Sequence, residues 1–163
     1  MEGNKMIKLE DWDKKKVQEE SNAEVMKLHG GYLGFIEKKL GKDAVMECVS
    51  DMAEQEADML KKMPSKEKGA LKVAISQGTH QKNLCGSENV KVEGDKDKAI
   101  VSIGKCTALK TTRKFMEMGV PMTEETCCAG CKGVYANLAK SMGIKNSDFV
   151  RTDDGCKYVY SRD

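Results

Sequence analysis

The sequence predicts an α+β domain in which N-terminal helices pack with an antiparallel sheet and a C-terminal Cys-rich helix is followed by a hairpin. Three observations carry this. Apolar residues recur at helical spacing between residues 25 and 63, two β-branched runs flank a Gly/Asp turn after residue 88, and five of the seven cysteines lie from residue 106 onward. A chain of 163 residues suffices for one domain with its own core. We expect a polar N-terminal arm over residues 1–20 and a single domain over 21–163. That domain divides into a helical half, 21–64, and a sheet and Cys-rich half, 70–163.

The elements follow in order. Residues 1–20 are polar and weakly periodic, reading as a frayed arm or as a short strand over 6–9. Ser21-Asn22-Ala23-Glu24 matches a capping box, in which hydroxyl and carboxylate satisfy the first free N–H groups of a helix. Val25, His29, Tyr32, Leu33, Ile36 and Leu40 then recur at helical spacing, with Gly30-Gly31 expected to split or kink the helix and Gly41 to stop it. Asp43 can cap a second helix, carrying Val45, Cys48, Val49, Met52, Glu56, Met59, Leu60 and Met63, with Pro64 just past its end. Residues 70–75 fit a strand or another helix, the strand being preferred, and 76–86 read as a loop holding His80 and Cys85. Residues 90–92 and 99–103, around Glu93-Gly94-Asp95, give a hairpin signal. Cys106 opens a helix to about Met118, stopped by Gly119 and Pro121. Thr123 caps the next, with Glu124 and Glu125 in the first turn, where the helix dipole favours anions. Its inner stripe is Cys128, Cys131, Tyr135, Leu138 and Met142, and Gly143 ends it. Residues 148–151 and 156–160 read as strands, with Cys156, Tyr158 and Tyr160 on one face.

Composition excludes several classes. The net charge is only +2 and no dense Lys/Arg stripe is interleaved with aromatics, so nucleic acid is not an expected partner. No apolar stretch approaches the roughly 18–20 residues of a membrane span, and the N-terminus lacks the apolar core of a signal peptide. We therefore expect a cytoplasmic protein with reduced cysteines, where a cluster points to metal or catalysis before disulfides. There is no G-x-S-x-G elbow, Walker loop, dinucleotide fingerprint or H-E-x-x-H.

The cysteines are the strongest functional signal. Cys128 and Cys131, or Cys127 and Cys131, occupy neighbouring turns of one helix face and can share an ion. Cys127 and Cys128 point about 100° apart, so only one of them suits the same mononuclear site. Cys106 and Cys156 would complete a four-thiolate set with Cys128 and Cys131, Cys127 being the alternative to Cys128. Such a set suits zinc or, alternatively, an iron–sulfur cluster. The competing chemistry is a thiol enzyme, with Cys106 or Cys131 as nucleophile. His80 is the better of the two histidines as its base, ahead of His29 on an apolar stripe, and Glu56 is a third choice. If the stripe of Cys131 and Tyr135 faces the second helix, Met52, Glu56 and Met59 form the opposite wall of a pocket for a small apolar or heterocyclic molecule. A homodimer is compatible with this sequence.

The order of motifs also resembles known families. Val101-Ser102-Ile103-Gly104-Lys105-Cys106, the helix ending Met116-Glu117-Met118-Gly119-Val120-Pro121, the run Cys127-Cys128-Ala129-Gly130-Cys131, then Val150-Arg151-Thr152 and Gly155-Cys156-Lys157-Tyr158-Val159-Tyr160 resemble the C-terminal half of the L-2-amino-thiazoline-4-carboxylic acid hydrolase-like family. They also resemble the 4-vinyl reductase (hydrocarbon-binding) domain, through Cys131-Lys132-Gly133-Val134-Tyr135 and the Cys156-Lys157-Tyr158 strand. The likeness covers about residues 99–163. It implies one α+β domain with helices on an antiparallel sheet around a small-molecule pocket, with metal-binding cysteines near it. The first family's name implies hydrolysis of a C–N/C–S bond of a small heterocycle.

Overall fold

The two β-branched runs pair as a hairpin. In the computed structural model, which describes residues 12–120 and 123–163, strand β1 (Glu88–Gly94) pairs antiparallel with β2 (Lys98–Lys105) in a register that sets Val92 opposite Val101. Asp95 closes the turn by accepting from the Asp97 and Lys98 amides through its carboxylate. The C-terminal runs form a second hairpin, β3 (Asn146–Arg151) and β4 (Cys156–Ser161). β4 inserts beside β2, also antiparallel, giving one four-stranded sheet of order β1-β2-β4-β3. Pairing Ala99 with Tyr160, Val101 with Tyr158 and Ile103 with Cys156 puts six buried side chains on one face. The opposite face carries Ser102, Lys157 and Val159 and is only partly covered.

Five helices complete the described residues: α1 (Lys14–Leu40), α2 (Lys42–Lys62), α3 (Gly69–Asn83), α4 (Thr107–Glu117) and α5 (Glu124–Ser141). The chain is therefore α+β, with helices leading and hairpins in the C-terminal half. α3 lies on β1 and β2, α5 reaches the sheet beside β3, and α2 packs on α5. α3 comes close because Gly78 has no side chain there: a Cβ would stand 2.6 Å from Val92 Cγ2. The core gathers Val73 and Ala74 of α3, Tyr135, Leu138 and Ala139 of α5, and the buried sheet face. Tyr158 lies at its centre, edge-on to Tyr135 at 5.5 Å between ring centroids and tilted against Phe149 at 5.0 Å.

Several local expectations change. α1 starts at Lys14, seven residues before Ser21, because Asp13 caps it by accepting from the Lys16 amide at 2.8 Å. It runs unbroken through Gly30 and Gly31 and ends at Gly41, whose φ of +90° favours glycine. Gly41, not Asp43, is the residue that caps α2, and Asp43 falls in the first turn. The strand considered over residues 6–9, and Pro121, lie outside the described residues.

Residues 70–75 are helical, and α3 runs on through most of the segment read as a loop. The buried positions Ala70, Val73, Ala74, Gln77, Gly78 and Gln81 do follow helical spacing. Five of the six are small or polar, which hid the period. Their burial is stabilised by hydrogen bonds: the Tyr160 hydroxyl donates to Gln77 Oε1 at 2.6 Å, and Gln81 Nε2 donates to the Tyr135 hydroxyl at 3.3 Å.

Candidate functional site

α5 starts where Thr123 accepts from the Thr126 amide at 3.1 Å, and this cap fixes the phase that turns Cys127, Cys128 and Cys131 inward. α4 starts at Cys106, which leaves the end of β2 and donates its amide to the Asp154 carbonyl at 2.7 Å. That same bond holds the turn before Cys156, which opens β4 opposite Ile103. Three elements and two turns thus bring Cys106, Cys127, Cys128, Cys131 and Cys156 around one small cavity of about 20 Å³. Leu109, Phe149 and Tyr158 close it on the apolar sides, and Gln81 adds a polar edge.

The cavity is atom-sized. About 10–15 Å³ of such volume holds one water, whereas organic ligands occupy hundreds of Å³. All five cysteines are free thiols, four partly buried and Cys156 buried. Burial is the largest cause raising the Cys106, Cys128 and Cys156 thiols, the last to about 12, and the neighbouring sulfurs add repulsion against further negative charge. Cys127 is the exception. The Cys131 thiol donates to it, and this holds Cys127 down at about 6 against burial, while Cys131 itself is pushed well up. Thr112 assists more weakly: its hydroxyl is wholly buried without a full hydrogen bond, beside the Cys127 sulfur.

The donors therefore suit a soft cation. Thiolates are soft ligands, and a divalent ion would offset both the burial and the mutual repulsion that keep these thiols protonated. As they stand, no three His, Cys, Asp or Glu side chains among the described residues form a ready-made metal site. The five thiols share a cavity without being drawn to one point.

The metal candidates and their alternative thus lie together, but the other candidates do not join them. His80 is exposed in the last turn of α3 and His29 is exposed on α1, so neither lines the cavity as a base for Cys106 or Cys131. Met52 and Met59 are also exposed and do not line this cavity. The face of α2 that packs inward carries Ala53, Ala57 and Leu60, one residue round from the expected stripe, because small residues let α2 approach α5 closely. Tyr135 is buried in the core, and Glu56 is partly buried near Tyr135 and Tyr160. Burial first, then nearby charge including Glu56, raises both hydroxyls.

A second, open cavity of about 520 Å³ adjoins the first, and Cys106 lines both. It lies between α1, the segment after α3 and α4, and it is charged rather than apolar, with Lys15, Lys105, Lys110, Arg113 and Lys114 facing Glu19, Glu88, Glu117 and Asp154. Lys110 pairs with Glu19 at 2.9 Å, and Arg113 spans Glu124 and Asp154, both at 2.7 Å. Cys85 also lines this cavity, close enough to Cys106 for charge on one to raise the other, after burial. Cys85, Thr112 and Gln81 are the site residues that sequence reasoning missed. For Cys85 the only signal was its residue type, and for Thr112 its place beside Thr111 in α4.

The thiol pair gives one direct prediction. Labelling of metal-free, reduced protein with iodoacetamide, followed by peptide mass, should show the Cys127 rate rising through about pH 6, because only thiolate reacts and this thiolate is already favoured there. Cys156 should stay unlabelled over the same range. A Cys127 rate that rises only near the ordinary thiol value would remove the Cys131 hydrogen bond from the account.

Compared with protein-family models, curated proteins and solved structures, the chain matches none.

Proposed function

We propose that this chain is a small-molecule-binding domain with a cysteine-ligated metal, most simply zinc, in the manner of the 4-vinyl reductase domain it resembles. The observation that carries this reading is the gathering of five free thiols around one atom-sized cavity. Cys106, Cys128, Cys131 and Cys156 would hold the ion, with Cys127 in place of Cys128 as the alternative. The metal would neutralise thiols that otherwise repel one another, and zinc bound by four protein thiolates is structural. The ligand would occupy the neighbouring charged cavity, with Cys106 linking it to the metal. That lining fits a polar or zwitterionic heterocycle better than a hydrocarbon. A reducing cytoplasm would keep the thiols available. No helix among the described residues is long and apolar enough to cross a membrane.

A redox reading has one specific observation in its favour, the placing of Cys127 and Cys131 one helical turn apart at the same cavity. The hydrolase reading needs a base that neither histidine supplies at this cavity. Thermal unfolding with graded zinc and with a chelator separates them. Metal binding to the native state raises stability by mass action, about 2.7 kcal/mol at one hundred times the dissociation constant. We expect zinc to raise the midpoint and chelator to lower it, with no visible absorption. Colour in anaerobically purified protein would favour an iron–sulfur centre instead. An unfolding midpoint indifferent to metal, together with a disulfide between Cys127 and Cys131 after mild oxidation, would replace the metal reading with the redox one.

A further inference from the structure

We propose that the outer strip of α1 is a self-association surface, on which α1 of a second copy of this chain lies antiparallel. None of the 27 residues of α1 is buried, yet Val25, Leu28, Tyr32 and Phe35 are 54%, 47%, 65% and 62% exposed. Their spacing of three, four and three residues is the a/d pattern of a two-helix seam.

The strip differs from the face that docks on its own chain. Inward, Gln18 donates to the Asn83 carbonyl at 2.9 Å, Asn22 donates to the Cys85 carbonyl at 2.8 Å, and Glu19 pairs with Lys110. At about 100° per residue, the outer strip lies roughly 110° round the helix from that face. The helix also carries Gly30, Gly31 and Gly34 in its interior, each with empty space where a Cβ would stand. Each interior glycine costs about 0.5–1 kcal/mol against alanine, and helices in proteins derive most of their stability from packing. A long, glycine-weakened helix with no buried residue is one that a partner surface would stabilise.

Charge selects a second copy and its direction. Antiparallel pairing that sets Leu28 against Tyr32 also sets Val25 against Phe35, so the layers repeat by symmetry. The flanking positions then place Glu24 opposite Lys38 of the second copy, twice per dimer. Parallel pairing would instead stack Lys14, Lys15 and Lys16 on themselves. Within one chain Glu24 holds an exposed pair with Lys27, at 3.3 Å, and can exchange it. At about 150–250 Å² per aromatic side chain, Tyr32 and Phe35 leave about 200–300 Å² uncovered per chain. With Val25, Leu28 and the flanking stems, the strip comes near the roughly 1,000 Å² total of a small specific interface.

The test is sedimentation equilibrium of the full chain, with circular dichroism confirming that each variant is folded. Wild type should dimerise at concentrations up to about 100 µM. Leu28→Asp should be monomeric. Glu24→Lys and Lys38→Glu should each weaken the dimer about fivefold or more, since both symmetric pairs become repulsive. The double variant, and an equimolar mixture of the two single variants, should recover it. A monomeric wild type, a dimer that survives Leu28→Asp, or charge variants that fail to rescue one another would each overturn the proposal.

Discussion

Gly155→Ala should destabilise the protein by about 3 kcal/mol or more, lowering Tm by about 6–12 °C for a domain of this size. A Cβ at this position would overlap the Ile103 carbonyl oxygen and stand 2.9 Å from the Gly104 carbonyl oxygen. Both obstacles are backbone, so no side chain can rotate away. Relief requires β4 to move from β2 where Ile103 pairs with Cys156. The same movement breaks the link by which Asp154 accepts from the Cys106 amide. Fold and site should fail together: thermal unfolding should show the shift, and the labelling rate of the buried Cys156 should rise. An alanine variant with wild-type Tm would mean that this turn is not held against β2.

Leu138→Ala should cost about 2–5 kcal/mol, the range for truncating a large core side chain. Leu138 is wholly buried on α5, two turns beyond Cys131, in the cluster that holds this helix against its neighbours. Unlike the glycine change, this one removes packing without displacing a turn. The cysteine phase is set at the other end of α5 by Thr123. Chemical denaturation should therefore show lower stability with an unchanged m-value, and the folded variant should still bind metal. A loss below about 1 kcal/mol would show that α5 is not packed as described.

Much of the fold was legible in the sequence because its signals are local. The hairpins announced themselves through β-branched runs and an Asp/Gly turn, and α5 through Thr123 with two acids behind it. α3 was harder. Its buried face is Ala70, Val73, Ala74, Gln77, Gly78 and Gln81, and buried glutamines that bond tyrosines across the core look like loop residues until those tyrosines are placed. α2 misled in the opposite way. Bulk suggested that Met52 and Met59 faced the core, whereas alanines face it and the methionines are exposed. Which face of a helix is buried depends on the shape of its neighbour, and no local pattern encodes that.

The site follows the same logic. The cysteines of α5 and the first residue of β4 could be grouped from their periods, since each period fixes a face. Cys85 could not, because its approach to Cys106 depends on how the end of α3 lies beside the start of α4. The methionine wall expected between α2 and α5 does not face inward, because the buried positions of α2 are Ala53 and Ala57. The larger cavity opens instead where charged side chains of α1 and α4 face each other.

The thiols around the small cavity are proposed to hold one metal ion. Elemental analysis of anaerobically purified protein, carried out alongside Cys131→Ser and Cys48→Ser, tests this most directly. Cys48 lies on α2 and does not line the cavity, so its variant reports non-specific thiol binding. Wild type and Cys48→Ser should each hold about one zinc per chain, and Cys131→Ser should lose it. Equal metal content in all three proteins, or a wild type that takes up no metal when it is supplied, would contradict the proposal.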